Sequence, residues 1–305
     1  MRVGAIFPGQ GSQTTGMGGD LAIGSPVAAD LFACASRVLG YDLVRLVRDG
    51  PEEKLLETRY SQPAIFVTNY ALAAVANERV TAVASAGHSF GEYCSLTLAG
   101  ALAFDDAVAL VNERGLAMQY AAELRPGAMA AVLGLDVESL TQVVQAAQAE
   151  GCVQLANFNT PAQIVVSGEV AAVRRAGELA LEAGAKRVIP LNVSGAWHSE
   201  LMAPALERFA PCVERTAIAT PRFPVISNVD ALPYLDAAHI RRNLILSLEA
   251  EVLWHATSLR LLEERLDLVV EFSASPVLAP MMKRLPGAPQ VQQAGDLAAI
   301  GKLFG

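Results

Sequence analysis

Short apolar runs alternate along this chain with longer stretches in which apolar residues return every three or four positions. The runs Val3 to Phe7, Val80 to Ala86, Ala128 to Leu133, Gln163 to Ser167, Arg187 to Leu191, Pro224 to Ser227 and Leu266 to Phe272 have the length and bounding turn residues of strands. Between them, Pro51 to Arg59, Ala64 to Asn77, Phe104 to Ala122, Val137 to Glu150 and Val170 to Ala183 are amphipathic at helical spacing. This alternation predicts an α/β fold with a largely parallel central sheet. The middle of the chain departs from it, because Gly127 to Leu191 reads β-α-β-β-α-β, the order of the split β-α-β, ferredoxin-like unit. Pro126-Gly127 and Ser194-Gly195 punctuate its two ends, as the junctions of an inserted domain do. The expected organisation is a large unit of residues 1–126 and 193–305 with a small subdomain, residues 127–192, inserted into it.

Composition supports a compact, aliphatic globular fold. A chain of 305 residues can bury roughly 75% of its unfolded surface, and 52% of its residues are hydrophobic while only 6% are aromatic, so the core is aliphatic. Mean hydropathy is +0.34, yet polar residues interrupt every apolar stretch well short of the ~18 positions a membrane helix needs. The N-terminal apolar run meets Pro8-Gly9 too early for a signal peptide. The expected location is the cytoplasm. A net charge of −8 argues against nucleic acid and anionic membranes as partners, while leaving room for a local basic patch. Cys34, Cys94, Cys152 and Cys212 are widely spaced and read as buried thiols. His88, His198, His239 and His255 also lack metal-ligand spacing, so no metal site is expected.

Chemistry concentrates at three places. Gly87-His88-Ser89-Phe90-Gly91-Glu92-Tyr93 follows a predicted strand and precedes a helix-compatible run. A strand, a sharp turn flanked by glycines and a helix make a nucleophile elbow, which lifts a serine hydroxyl out of the sheet and aims a helix N-terminus at it. A serine needs a base in hydrogen-bond reach. His88 adjoins Ser89, but the turn directs it elsewhere; His198, in the small-residue loop Ser194-Gly-Ala-Trp-His-Ser199, is better placed to reach across a cleft. The third place is Phe7-Pro8-Gly9-Gln10-Gly11-Ser12-Gln13, whose glycines let backbone N–H groups approach a ligand, as an oxyanion hole requires.

With these motifs the chain resembles the malonyl-CoA:acyl carrier protein transacylases and the related acyltransferases of polyketide synthases. The resemblance runs through F-P-G-Q-G-S-Q, S-Q-P-A (Ser61 to Ala64), G-H-S-F-G-E-Y, R-G-L-A-M-Q (Arg114 to Gln119), A-N-F-N-T-P-A-Q (Ala156 to Gln163) and S-G-A-W-H-S, and covers nearly the whole chain. It implies an α/β-hydrolase-like large domain with a ferredoxin-like small one. It makes Ser89 the nucleophile, His198 the general base, the N–H groups of Gln10 and Phe90 the oxyanion hole, and Arg114 the grip on the free carboxylate of a malonyl-type acyl group. Arginine suits that task because its planar fork gives a bidentate, charge-assisted pair and stays charged in a pocket. Gln62 and Asn159 match polar residues lining the family's site. No cofactor is implied, since malonyl-CoA is itself the substrate. The implied partner is an acyl carrier protein with its phosphopantetheine arm, and the chain is read as a monomer. Lys186-Arg187 and Lys283-Arg284 are the basic pairs expected to dock that acidic partner.

The sequence also departs from the family pattern. Family members commonly carry Q-L-x-x-P-V-x-W, whose Gln carbonyl orients the histidine. Here Ser247-Leu-Glu-Ala-Glu-Val-Leu-Trp254 occupies that place, which puts Ser247 in the orienting role. Trp197 stands before His198, where malonyl-selective members often have Phe, and is expected beside the acyl α-carbon. Glu271-Phe-Ser-Ala-Ser-Pro-Val-Leu278 lacks a glycine-containing E-x-G-P run and looks more like polyketide synthase acyltransferases. A trans-acting acyltransferase of polyketide or fatty acid synthesis is the reading these residues favour. The alternative is a hydrolase that uses the same Ser-His dyad to clear stalled acyl groups from carrier proteins, and Arg114 argues against it, because a general acyl hydrolase has no use for a carboxylate clamp.

Overall fold

A computed structural model of the chain describes residues 1–305. Its strands, in chain order, are β1 (Val3–Phe7), β2 (Ala82–Gly87), β3 (Ala128–Leu133), β4 (Val153–Thr160), β5 (Gln163–Gly168), β6 (Arg187–Pro190), β7 (Val225–Ile226), β8 (Leu268–Phe272) and β9 (Gln290–Ala294). The larger sheet has the order β7-β2-β1-β8-β9, and every neighbouring pair is parallel. The smaller sheet has the order β4-β5-β3-β6, and every pair is antiparallel. Strands β1 and β8 are buried at every position, as strands covered on both faces by helices must be. The fold is therefore mixed α/β, with the parallel sheet and the β-α-β-β-α-β unit that the periodicity predicts.

Two elements differ from the expectation. Strand β9 gives no apolar run, because as the edge of the sheet it buries only Val291 and Ala294 and leaves three glutamines partly in water. One helix, Thr58–Asn77, passes straight through Pro63, where the sequence predicts a break. Pro63 lies in the second turn of that helix, where its missing N–H removes a single bond, to the carbonyl of Arg59. Fifteen of the helix's twenty residues are buried, so it is packed all round, principally against helix Phe104–Leu124. Of the four thiols expected to be buried, only Cys94 is fully so; Cys34, Cys152 and Cys212 are half-buried, and all four are free. No helix is long and apolar enough to cross a membrane.

The pleat of the small sheet divides its labour between two faces. Ala130, Val132, Ile164 and Val166 pack with Leu140, Val144, Ala172 and Ala176 of its two helices, Val137–Ala147 and Val170–Glu182. The alternate residues Met129, Ala131, Gln163 and Val165 face the other way and roof a pocket over the large sheet. Strand β4 breaks its register twice, after Leu155 and after Phe158. A bulge of this kind re-aims side chains, and here Asn157 and Asn159 both end up lining the pocket.

Candidate active site

Parallel strands deliver their C-terminal loops to one edge of a sheet, where ligands bind in folds of this kind. Four adjacent strands do so here. β1 leads to Gly9 and Gln10, β2 to His88, Ser89 and Phe90, and β8 to Val277 and Leu278, all of which line a cavity of about 210 Å³. β7 leads to Asn228, directly beneath the elbow. Arg114, Gln62, Met118, Trp197, His198 and Met281 complete the wall together with the small-sheet residues.

The elbow is built from close backbone packing. A Cβ at Gly87 would collide with the Gly91 peptide, one at Gly91 with the carbonyl of Phe7, and one at Gly9 with the carbonyl of His88. Glycine is required at all three because β1 and β2 run side by side to Phe7 and Gly87. Ser89 sits at the apex with φ 53°, a left-handed conformation that a non-glycine residue holds only when its surroundings enforce it. Helix Gly91–Leu98 starts immediately after it. The N–H groups of Gln10 and Phe90 donate to nothing within the protein, so both are free to bind an oxyanion in the cavity.

His198 is 4% exposed and also takes a left-handed conformation, φ 58°. Its Nε2 lies 2.8 Å from Ser89 Oγ, and its Nδ1 lies 3.1 Å from the Ala250 carbonyl. A carbonyl can only accept, so the imidazole proton resides on Nδ1 and Nε2 accepts from the serine hydroxyl. That is the tautomer a general base needs. The orienting carbonyl is a correction to the sequence reading: Ala250 makes the 3.1 Å contact, and Ser247 contributes the smaller of the two backbone interactions that favour the charged ring. The helix Ala237–Leu246 ends just before Ser247, and the chain then turns so that Ala250 comes closest. Burial, then the Arg114 charge and His88, push His198 down to about 3, so the ring is neutral at neutral pH.

Arg114 lies on helix Phe104–Leu124 and is 1% exposed. Periodicity alone would place it on a solvated face; instead its guanidinium points into the cavity. Nη1 donates to Gln62 Oε1 at 3.0 Å, and Nη2 lies 3.5 Å from Ser89 Oγ. Nε has no partner, and no acidic side chain forms a salt bridge with the group. Burial lowers its pKa. A buried cation without a counter-ion is costly, and this one is held beside the serine by Gln62, whose amide also donates to Met118 Sδ at 3.3 Å. Such an arrangement suits an anionic ligand that brings the missing charge.

The remaining predicted residues fall into place unevenly. Asn159 lines the cavity but spends its Oδ1 on His88 Nε2, 2.8 Å away, and His88 does not bond Ser89. Trp197 is buried in the wall with its Nε1 unpartnered. Lys186, Arg187, Lys283 and Arg284 are all exposed, the second pair following the wall residue Met281 and the first preceding the wall residue Leu191. Sequence reading missed Asn228, Glu92, Ala250 and Glu271. Glu271 is fully buried; its Oε1 accepts from Val277 N–H at 2.8 Å and Ser273 Oγ at 3.1 Å, and its Oε2 from Leu278 N–H at 3.0 Å and Ala279 N–H at 2.6 Å. It thereby shapes the loop that carries Val277 and Leu278 into the wall. The loop Ala250–Leu253 is tied in three directions: to His198 by the Ala250 carbonyl, to β4 by Val252, and to Asn228 by Leu253 N–H.

Comparison with known proteins agrees with this geometry. Residues 5–303 match the family described as acyl transferase domain. The chain is 40% identical over 298 residues to a malonyl CoA-acyl carrier protein transacylase of Haemophilus influenzae, covering 97% of this chain and 96% of that protein. It is 42% identical over 286 residues to the protein of the same name from Bacillus subtilis, covering 93% and 90%. Among solved structures, a malonyl-transacylase in complex with its type II PKS acyl-carrier protein superposes with a TM-score of 0.95 at 38% identity, covering 100% of this chain and 99% of that one. A serine elbow, a histidine of the right tautomer and an unpaired buried arginine, joined to likeness of this extent, place the chain in the acyl transferase domain family, among the malonyl CoA-acyl carrier protein transacylases.

Proposed function

We propose that this chain carries a malonyl group from CoA to the phosphopantetheine thiol of an acyl carrier protein through a malonyl-Ser89 intermediate. His198 Nε2 takes the proton of Ser89 Oγ as the oxygen attacks the thioester carbonyl. The N–H groups of Gln10 and Phe90 hold the oxyanion, each worth ~3 kcal/mol in the transition state. The intermediate collapses, the C–S bond breaks, and the CoA thiol leaves with the proton held by His198. In the second half-reaction His198 deprotonates the carrier thiol, which attacks the malonyl ester and releases Ser89 with its proton. Exchange of one thioester for another changes no oxidation state and calls for no cofactor.

The observation that carries this reading is Arg114, a buried guanidinium 3.5 Å from the serine hydroxyl with no carboxylate of the protein to pair with. The malonyl carboxylate supplies that charge and fixes the acyl carbonyl against Ser89. Gln62 orients the guanidinium, while Asn159 and Trp197 bound the acyl group. In this reading residues 1–126 and 193–305 form an α/β-hydrolase-like catalytic unit and residues 127–192 a ferredoxin-like insert. The monomer works in the cytoplasm, with the carrier protein docked on Lys186-Arg187 and Lys283-Arg284. The pathway is polyketide or fatty acid synthesis.

Intact-protein mass spectrometry after mixing with malonyl-CoA tests it. The expected result is a single malonyl adduct that disappears on addition of holo carrier protein, and no adduct on Ser89→Ala. An adduct that decays to malonate at the same rate with or without carrier protein identifies a hydrolase instead. A malonyl adduct on the alanine variant moves the nucleophile elsewhere.

A further inference from the structure

Asn228 follows β7 and touches the elbow just before its apex, at the two peptides on either side of His88. Its Oδ1 accepts the N–H of Ser89 at 2.8 Å, and its Nδ2 donates to the carbonyl of Gly87. One side-chain amide therefore spans the two peptide groups that lead into Ser89, and fixes the plane of the peptide from which its φ torsion starts. The Asn228 backbone is fixed in turn: its N–H donates to Glu92 Oε1 at 2.8 Å, and its carbonyl accepts from Leu253 N–H at 2.9 Å. Glu92 Oε1 also accepts from Tyr234 Oη at 3.0 Å. Asn228 and Glu92 are each 1% exposed, and Tyr234 is 5% exposed, so water does not compete for these bonds. Burial pushes the Glu92 carboxyl up to about 7, against the hydrogen bonds from Asn228 and Tyr234 that hold it down.

The turn needs such a brace. Ser89 is left-handed at φ 53° and has a Cβ, so the local chain alone favours another conformation. Relaxation of that torsion would swing Oγ away from His198 Nε2. A side-chain amide can accept from the Ser89 N–H and donate to the Gly87 carbonyl at once, which a carboxylate cannot do. Its partner Glu92 belongs to the first turn of the helix that the elbow starts, so the brace ties the end of β2, the apex and the helix into one closed set of bonds.

We propose that Asn228, held by Glu92 and Tyr234, is the positioning residue that keeps Ser89 in its reactive conformation. It contacts the serine backbone and no substrate. The inference rests on Ser89 being the nucleophile, so its test separates reactivity of the serine from use of malonyl-CoA. The purified full chain and its variants would be treated with a fluorophosphonate, which reports serine reactivity without malonyl or CoA, and in parallel with malonyl-CoA under single-turnover conditions. For Asn228→Ala, both labelling and loading are expected to slow by the same factor, about 10–100-fold. The concentration of malonyl-CoA for half-maximal loading should stay within about twofold of wild type, because Arg114 and the wall are untouched. Asn228→Asp, nearly isosteric, should be similarly slow, since a carboxylate cannot donate to the Gly87 carbonyl. Glu92→Gln preserves an acceptor of the same size and is expected to label several-fold faster than Glu92→Leu.

Labelling of Asn228→Ala and Asn228→Asp at the wild-type rate would overturn the proposal. So would slowing matched by an equal rise in half-saturating malonyl-CoA, which would mark a general loss of site structure. If the wild type takes the fluorophosphonate but not malonyl, the transacylase reading fails and the labelling rates still decide the role of Asn228.

Discussion

Two fully buried charges, Glu271 behind the cavity wall and Arg114 in it, are treated in opposite ways. Glu271 is closed: three backbone N–H groups and a serine hydroxyl fill both its oxygens. Arg114 is open: one amide oxygen at 3.0 Å is its close partner, and its Nε has none. A charge that shapes a protein is saturated within the protein, because an unpaired one would weaken the fold. A charge that waits for a ligand must be left short of partners and held in place by something else, here Gln62. The contrast separates structural from functional ionisable residues more sharply than burial does, since burial is the same for both.

The comparison breaks most visibly at Arg114. Arg114→Met should abolish malonyl loading, because the substrate carboxylate would then be buried without a partner. A penalty of ~3–5 kcal/mol corresponds to a fall in kcat/KM of about two to three and a half decades, read by single-turnover loading against acetyl-CoA as the neutral control. The same variant should be as stable as wild type or more so, by about 1 kcal/mol in denaturant unfolding, since a buried unpaired cation has been replaced by an apolar chain. A Met variant that loads malonyl at the wild-type rate would show that Arg114 is not the clamp.

Glu271→Gln should show the reverse pattern. The new NH₂ would face the N–H groups of Leu278 and Ala279, donor against donor, at a cost of about 2–4 kcal/mol in unfolding free energy. Loading should fall far less than for Arg114→Met, because Glu271 touches the wall and not the ligand. Equal stability of wild type and Glu271→Gln would mean that the saturated carboxylate does not hold the loop together.

The smallest effect concerns pH. His198 lies at about 3, lowered first by burial and then by the Arg114 charge, and the base is active only when neutral. The acid limb of kcat/KM, which reports the free enzyme, should therefore fall well below the ordinary histidine value near 6.5. Bound malonate-type charge neutralises Arg114 and removes one of the depressing influences, so the acid limb of single-turnover loading at saturation should lie at higher pH than that of kcat/KM. Coincident limbs would mean that Arg114 and the acyl carboxylate do not pair.

Much of this was readable in the residues. The elbow and the first loop declare themselves because close backbone approach admits only glycine at Gly9, Gly87 and Gly91, and sequence records glycine directly. The small sheet is legible because short apolar runs such as Ala128 to Leu133 alternate with amphipathic stretches at helical spacing, in the order β-α-β-β-α-β. Arg114 was readable only through family resemblance, since a lone arginine on a helix looks the same whether it faces water or a pocket. Ala250 was not readable at all: it acts through a carbonyl, which every residue owns, so the orienting role fell to Ser247. Asn228 and Glu92 stood in plain sight, one just past a predicted strand and one inside the elbow motif, but their pairing joins residues 136 positions apart. Strand β9 was hidden by its glutamines, tolerable only at an edge.

The loop Ala250–Leu253 gives the molecule an unexpected seam. In chain order it lies far beyond the small sheet, yet Val252 bonds both Ala156 and Phe158 of β4 while the Ala250 carbonyl bonds the imidazole of His198. The small sheet and His198 thus share a four-residue clasp contributed by neither. Anyone recombining related enzymes by exchanging residues 127–192 would transplant an edge strand without its clasp and so disturb the seat of His198, a residue that the crossover never touched. Modules that look separable along the chain are here stitched by a third piece, and a graft has to carry that piece with it.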